Sequence, residues 1–292
     1  MELSKKAGKI VAEALEYGKT LITEGKKYAE VADAVEEKIL KSGAGLAFPC
    51  NISINNAASH YAPPFNDAGA FKAGDLVKLD VGAHIDGNIA DGAITISIGK
   101  NAENEKLIEA ANAALNAAVA LAKPGVEVSE IGKAVSDAIE SFGFKPVRNL
   151  SGHQVEQYEL HAGISIPNFD NKNKTKLEDG MIIALEPFAT TGSGYVSEGS
   201  TREIYMLQKL SNIRTNREIL EHIAEEFGEL PFAKRWLIRK FGAVKTNLAM
   251  KEMLAKGILR EFPVLNDVAG SKVAQAEHTV AVANTPIILT KI

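Results

Sequence analysis

The sequence predicts a mixed α/β fold of the α+β kind, built from two similar halves, with a helical insertion in the second half. Three observations predict it: a helix pattern that occurs twice, a strand pattern with carboxylates that occurs twice, and a long helical stretch that occurs once. The chain has 292 residues, 46% of them hydrophobic, and a net charge of −4, which argues against disorder and general nucleic-acid binding. We expect one domain over 1–292, with halves at about 1–105 and 106–292 and an inserted helical subdomain at 205–262.

One helix pattern occurs twice, 100 residues apart. The segments YAEVADAVEEKILKSG at 28–43 and VSEIGKAVSDAIESFG at 128–143 share apolar residues spaced four apart, and each ends in glycine. This spacing keeps one face of a helix toward a core, and glycine commonly ends a helix. The sequence therefore predicts an equivalent helix in each half.

Two strand patterns with carboxylates also occur twice. The segments that end in Asp80 and Glu186, KAGDLVKLD and EDGMIIALE, resemble each other. The segments around Asp91 and Glu277, IADGAIT and QAEHTVA, resemble each other in the same way. Each half is therefore expected to supply two carboxylates from its strands.

The two carboxylates of the first half are joined by a strong turn signal. Asp86 and Gly87, between alternating strands, favour a two-residue hairpin turn with positive φ. In that hairpin, Asp91 faces Gly82 and is the diagonal neighbour of Asp80 on the same face of the sheet. A glycine there is expected to leave room between the carboxylates.

The second half contains an insertion. Its two carboxylates are 91 positions apart, whereas those of the first half are 11 apart, which leaves about 80 extra residues. The sequence TNRE at 215–218 predicts a capping box, Pro231 a helix start and Gly257 a helix end. Basic helix faces could suggest DNA binding, but ten Lys or Arg against seven Asp or Glu between Asn212 and Glu261 describe an ordinary solvated surface.

Cysteine content and the N-terminus predict a cytoplasmic location. Cys50 is the single cysteine, so no internal disulfide can form. The N-terminal segment lacks the apolar core of a signal peptide, and no stretch approaches 18 consecutive apolar residues.

Converging carboxylates and nearby histidines predict a metal site. Four carboxylates brought together would repel one another unless cations or protons intervened. The segment SGHQVEQYELHAG adds His153 and His161, and His60 precedes a Pro-Pro pair. Such an oxygen-rich set suits two divalent ions of the manganese, iron or cobalt type, which can activate a water and polarise a carbonyl. Hydrolysis of an amide or ester follows, since no P-loop or GxSxG motif is present.

Five motifs carry a resemblance to a known family: FPCNISINNAASHYAPP, KLDVGAHIDGNIADGA, SGHQVEQYELHAG, ALEPFAT and AQAEHT. They are similar to the successive motifs of type 2 methionine aminopeptidases, over nearly the whole chain. The resemblance implies the pita-bread fold, a pseudo-twofold repeat of curved antiparallel sheet with outer helices. It also implies a monomer of archaeal type that acts on nascent polypeptide N-termini, with the ribosome as a further candidate partner and without membrane or specific nucleic acid.

The resemblance also implies a set of metal ligands. Two divalent ions, of cobalt, manganese, iron or zinc, would be held by Asp80, Asp91, His153, Glu186 and Glu277. Asp91 and Glu277 would bridge the ions. Asp80 would hold one ion, and His153 with Glu186 would hold the other.

The remaining family positions imply how substrate binds. His60 and His161 would hydrogen-bond the scissile amide and its tetrahedral intermediate, and Glu186 would also shuttle a proton. The substrate would be an initiator methionine followed by a small residue, and its thioether needs an apolar slot. The matching slot positions are Phe48, Leu160, Phe188, Ile204 and Phe262. Eukaryotic members carry histidine and tyrosine at the last two positions.

Two alternatives use the same fold. A proline dipeptidase or aminopeptidase shares the ligand pattern but places its last two glutamates much closer together than the 91 positions found here. A catalytically inactive protein that binds RNA or a growth-control partner should have lost ligands, whereas all five positions are filled in this sequence.

Overall fold

The predicted repeat is visible in the order of helices and strands. The structure is a computed structural model that describes residues 1–291. The first half consists of α1 (Glu2–Leu21), α2 (Tyr28–Lys41), β1 (Gly45–Ile54), β2 (Ala57–Ser59), β3 (Leu76–Ile85) and β4 (Asn88–Ser97). The second half begins with α3 (Ala102–Ala120), α4 (Val128–Ser141), β5 (Lys145–Pro146), β6 (Ser151–Glu156), β7 (Glu159–Pro167), β8 (Ile182–Leu185) and β9 (Phe188–Thr190). Helices α2 and α4 start 100 residues apart, as the sequence predicts, and so do α1 and α3.

The rest of the second half contains the helices that the first half lacks. Its elements are β10 (Ser197–Leu207), α5 (Arg217–Glu226), β11 (Phe232–Ala233), α6 (Lys234–Phe241), α7 (Ala243–Ala255), β12 (Leu259–Asn266), β13 (Val273–Gln275), β14 (Glu277–Ala281) and β15 (Ile287–Ile288). Helices α5 to α7 lie between β10 and β12 and pack around a hydrophobic cluster of their own.

Two local predictions for these helices are wrong, and one is confirmed. Helix α5 begins after Asn216, and no side chain of the described residues caps it. The Thr215 hydroxyl instead donates a hydrogen bond to Glu252 of α7, at 3.0 Å, because tertiary contact competes with local capping. Pro231 precedes β11 and starts no helix. Gly257 follows α7 with a φ of +60°, as a helix-ending glycine does.

The large sheet joins the two halves edge to edge. Its strand order is β1-β3-β4-β14-β8-β6-β7, and β15 pairs with β14. The predicted hairpin of β3 and β4 is confirmed, since Gly82 pairs with Asp91, and the turn residues Asp86 and Gly87 have φ of +50° and +77°. The seam between the halves is the β4–β14 pair, where Glu277 lies opposite Ala93.

Each half buries its own core between its helices and its part of this sheet. Helices α1 and α2 pack against β1, β3 and β4, and α4 packs against β7. Two smaller sheets, β11-β10-β12-β2 and β13-β9-β5, complete the molecule. This is the pita-bread arrangement expected from the resemblance. Within residues 1–291, every helix is too short or too polar to cross a membrane.

Candidate active site

All twelve side chains predicted for the site line one cavity of about 230 Å³, whose walls come from strands of all three sheets. The sequence separates these residues by more than 200 positions, and the fold brings them together. They are Phe48, His60, Asp80, Asp91, His153, Leu160, His161, Glu186, Phe188, Ile204, Phe262 and Glu277. The other three histidines of the sequence, His84, His222 and His278, lie outside this lining.

Four carboxylates form what we term the acidic floor of the cavity: Asp80, Asp91, Glu186 and Glu277. Asp80 and Asp91 project from the β3–β4 hairpin, Glu277 begins β14, and Glu186 directly follows β8. Ligand atoms of Asp91, His153 and Glu277 all lie within 4.8 Å of one another. His153 Nε2 is 3.6 Å from an oxygen of Asp91 and 3.6 Å from one of Glu186. The central strands thus place one carboxylate of the first half and both carboxylates of the second half around one imidazole.

Two polar residues that sequence reasoning missed hold the acidic floor in place. The Gln275 amide donates hydrogen bonds to Asp80 Oδ2 at 3.5 Å and to Glu277 Oε2 at 3.2 Å. The Thr279 hydroxyl accepts a bond from the Asp91 backbone N–H and lies 2.8 Å from Asp91 Oδ1. For Thr279 the available signal was spacing, because residues two apart on a strand, here 277 and 279, face the same side.

Burial makes the acidic floor costly to ionise. It raises the pKa of Asp80 to about 8, with the Asp91 charge adding to the effect, and raises that of Asp91 to about 6. For Glu186 and Glu277, burial and then repulsion by the other carboxylates raise the pKa well above its usual value. A cation bound among these carboxylates would offset both the cost of burying their charges and their mutual repulsion.

The three site histidines are neutral near pH 7. Burial lowers the pKa of His60, His153 and His161 to about 4 in each case. His153 Nδ1 lies 3.3 Å from the carbonyl oxygen of Gln154, which favours a proton on Nδ1 and leaves the Nε2 lone pair toward the carboxylates. His60 Nδ1 lies 3.2 Å from the carbonyl oxygen of Pro263, so its Nε2 is likewise an acceptor.

The donor set fits a divalent metal. Asp80 Oδ1 is buried and accepts no hydrogen bond from any residue within 1–291. The acidic floor supplies further carboxylate oxygens, and His153 supplies a neutral imidazole nitrogen. Oxygen ligands with one imidazole suit divalent ions of the manganese, iron or zinc type.

Five apolar side chains form what we term the apolar wall: Phe48, Leu160, Phe188, Ile204 and Phe262. Ile204 and Phe262 are paired residues of β10 and β12, so the sheet next to the insertion supplies one side of the wall. Phe48, on β1, lies over Gly82, where an added Cβ would be 2.3 Å from Phe48 Cε1. The role predicted for this glycine therefore needs correction, because its nearest neighbours are the Phe48 ring and Ala47 rather than the carboxylates.

Further lining residues were not predicted. Pro231, from the segment between α5 and β11, lies at the apolar wall, and polar residues such as Asn51, Asn149 and Ser151 line the rest. Asn51 Oδ1 is buried and unpaired among the residues that the structure describes. These positions belong to neither the repeat nor a charged pattern, so the sequence offered no signal for them.

Comparisons with known proteins agree with this geometry. Residues 2–283 match metallopeptidase family M24. A methionine aminopeptidase from Archaeoglobus fulgidus is 46% identical over 97% of this chain and 96% of its own length. The crystal structure of methionine aminopeptidase from Thermotoga maritima superposes with a TM-score of 0.74 at 25% identity, covering 100% of this chain and 96% of that one. A thermophilic Arx1 has a TM-score of 0.87 at 17% identity, over 100% and 90% of the two chains, which shows a shared fold alone.

Proposed function

The chain belongs to metallopeptidase family M24, and we propose that it is a methionine aminopeptidase that removes the initiator methionine of nascent polypeptides when the second residue is small. The observation that carries the proposal is the junction of an acidic floor and an apolar wall in one cavity. The first suits a metal-dependent hydrolase, and the second suits an unbranched apolar side chain. The named relatives support the same activity.

For the metal ligands we propose the set that the family resemblance implies, and the position of all five side chains at one cavity supports it. Asp80, Asp91, His153, Glu186 and Glu277 would hold two divalent ions, with Asp91 and Glu277 shared between them. Metal bound here would lower the pKa of a water toward neutrality and polarise the scissile carbonyl. The Gln275 amide and the Thr279 hydroxyl orient three of these carboxylates, which is the usual task of groups around a metal site.

The histidines outside the ligand set would bind the reacting amide. The neutral His60 ring, with Nδ1 directed at a carbonyl oxygen, can accept a hydrogen bond from a substrate N–H through Nε2. The His161 ring lies 4.4 Å from the His153 ring, centroid to centroid, next to the acidic floor. Its N–H can donate to the oxygen that gains charge during attack. Glu186, at the edge of the floor, can take a proton and return it to the departing amine.

A peptide panel tests the proposed function. We expect the protein with added manganese or cobalt to release methionine from Met-Ala-Ser and to leave Ala-Pro and Gly-Pro intact. Chelator should abolish the reaction. The Asp91→Asn variant, which removes one proposed shared ligand at nearly constant shape, serves as the matched control for contaminating peptidases.

Each contrary outcome identifies one alternative. Cleavage of the proline dipeptides without cleavage of Met-Ala-Ser would make the protein a proline peptidase. Failure to cleave any of the three peptides with any of the four candidate metals would support a binding protein on this fold. Methionine release before lysine or leucine at the same rate as before alanine would contradict the preference for a small second residue.

A further inference from the structure

A buried ion pair joins the insertion to the first half of the chain. Arg235 of α6 has a side chain that is 0% exposed, and Glu36 of α2 is 6% exposed. An Nη2 hydrogen of Arg235 is donated to Glu36 Oε1. Charged side chains are seldom buried so completely unless they are paired. This pair takes no part in the proposed reaction, since neither residue lines the active-site cavity.

The Glu36 carboxylate connects three elements. Its Oε1 also accepts a hydrogen bond from the backbone N–H of Cys50 on β1, at 3.0 Å. Its Oε2 accepts one from Trp236 Nε1, at 2.9 Å. One side chain of α2 therefore fixes both a strand of the large sheet and the helix that carries Arg235.

The Arg235 guanidinium extends the connection to the chain after His60. Its Nη1 donates a hydrogen bond to the carbonyl oxygen of Pro63, at 3.4 Å. Its Nε lies 3.6 Å from Asp33 Oδ1, and the other oxygen of that carboxylate, Oδ2, accepts a 2.6 Å hydrogen bond from Arg239. The first half thus offers both a carboxylate pair and a backbone carbonyl to the same helix.

The backbone groups held by the pair, and Arg235 itself, are close chain neighbours of cavity residues. Cys50 lies between Phe48 and Asn51, and Pro63 is three residues beyond His60. Arg235 is four residues beyond Pro231, and β11 between them pairs with β10 at Ile204. The pair therefore contacts chain segments that carry cavity residues without lining the cavity itself.

An apolar contact could hold the insertion equally well, because burying two charges costs most of what their attraction gains. A guanidinium fork differs in fixing orientation as well as distance. We propose that Glu36 and Arg235 are positioning residues, which set the insertion and β1 in the arrangement that binds the methionine side chain. This inference rests on the proposed function.

The test is the double variant Glu36→Leu/Arg235→Met in the full-length, manganese-loaded protein. Removing both charges together leaves neither one buried and unpaired, but the Cys50 N–H and Trp236 Nε1 lose their acceptor, so the melting temperature of the variant is measured first. We expect unchanged metal content, an approximately tenfold higher KM for Met-Ala-Ser and a kcat within about threefold of the unchanged protein. Calorimetry should show that the dissociation constant for L-methionine rises by the same factor as KM. A purely structural pair would alter melting or the active fraction, neither of which changes KM.

The matched control is Glu221→Leu/Arg217→Met, which makes the same replacements in an exposed ion pair of α5. It should leave KM unchanged. The proposal is overturned if the buried double variant, or Glu36→Gln where the double variant does not fold, keeps the KM and the methionine affinity of the unchanged protein. If the unchanged protein itself releases no methionine from Met-Ala-Ser, the proposed function has failed, and the positioning role fails with it.

Discussion

The acidic floor and the apolar wall of the cavity differ in where they come from. The floor consists of positions that occur in both halves, on or beside central strands of the large sheet. Part of the wall comes from the sheet next to the insertion, where Ile204 and Phe262 are paired. Three strands of that sheet, β10, β11 and β12, flank the inserted helices, and β2 comes from the first half. The duplicated framework therefore provides the reacting centre, and the unduplicated part shapes what can reach it.

Because the floor and the wall come from different parts of the fold, substitutions in the two regions should cause different defects in activity. Changes in the floor should affect metal content and the rate of the chemical step, because its charges lie around one imidazole. Changes in the wall should affect KM and the choice of the first residue, because its side chains are apolar, cannot ligate a metal and would meet the methionine side chain in the proposed binding mode. The predictions that follow test whether the two regions can be disturbed independently.

The largest effect on activity is expected at His153, the imidazole that lies among the carboxylates of the acidic floor. His153→Ala should lose bound metal and nearly all methionine release, because its Nε2 faces two carboxylates at 3.6 Å. His161→Ala should keep its metal and lose about 10²-fold in kcat, as expected for a lost oxyanion donor. His60→Ala should behave like His161→Ala. Metal analysis of the purified variants decides, and a metal-depleted His161→Ala beside a metal-replete His153→Ala would reverse the assignment.

A smaller effect is expected where the wall meets the floor. Gly82→Ala adds a Cβ that would lie 2.3 Å from Phe48 Cε1, so the ring must move into the cavity. We expect KM for Met-Ala-Ser to rise about tenfold, in line with the cost of overpacking, while metal content stays the same. Gly82→Ala/Phe48→Leu should recover part of the affinity, because the smaller side chain leaves space for the methyl group. Loss of metal from Gly82→Ala would show that the two regions are not independent.

The smallest effect is expected in how the stability of the metal-free protein depends on pH. Asp80 binds its proton more tightly when folded, since burial raises its pKa from 3.8 to about 8. Stability should therefore fall as pH rises, until the pH passes 8. The site histidines, with pKa values lowered to about 4, act in the opposite direction only below about pH 6.5.

Between pH 6.5 and 8, the contribution of Asp80 to stability can therefore be measured without an opposing contribution from the site histidines. We expect the melting temperature of chelator-treated protein to decrease across it and that of metal-loaded protein to change less. Asp80→Asn should show a weaker decrease than the unchanged protein. An equal slope in both would mean that Asp80 is not the group responsible.

The same comparison explains what the sequence could and could not predict. The β3–β4 register followed from one Asp-Gly turn, because a two-residue loop determines every pair beyond it. The floor carboxylates were found because the repeat marks them. The role of Pro231 was misread as a helix start, since its position at the wall depends on a tertiary contact. The Glu36–Arg235 pair spans 199 positions with no local pattern, so only the fold reveals it.

The central claim is that the acidic floor is a metal site shared by both halves, and thermal melting of the unchanged protein and Asp91→Asn tests it most directly. Metal that binds only the folded chain adds about 2.7 kcal/mol of stability when its concentration is 100 times its dissociation constant. With chelator, Asp91→Asn should melt no lower than the unchanged protein, because one of the repelling charges is gone. With manganese, its increase in melting temperature should be clearly smaller than that of the unchanged protein. Equal stabilisation of both proteins by manganese would contradict the claim.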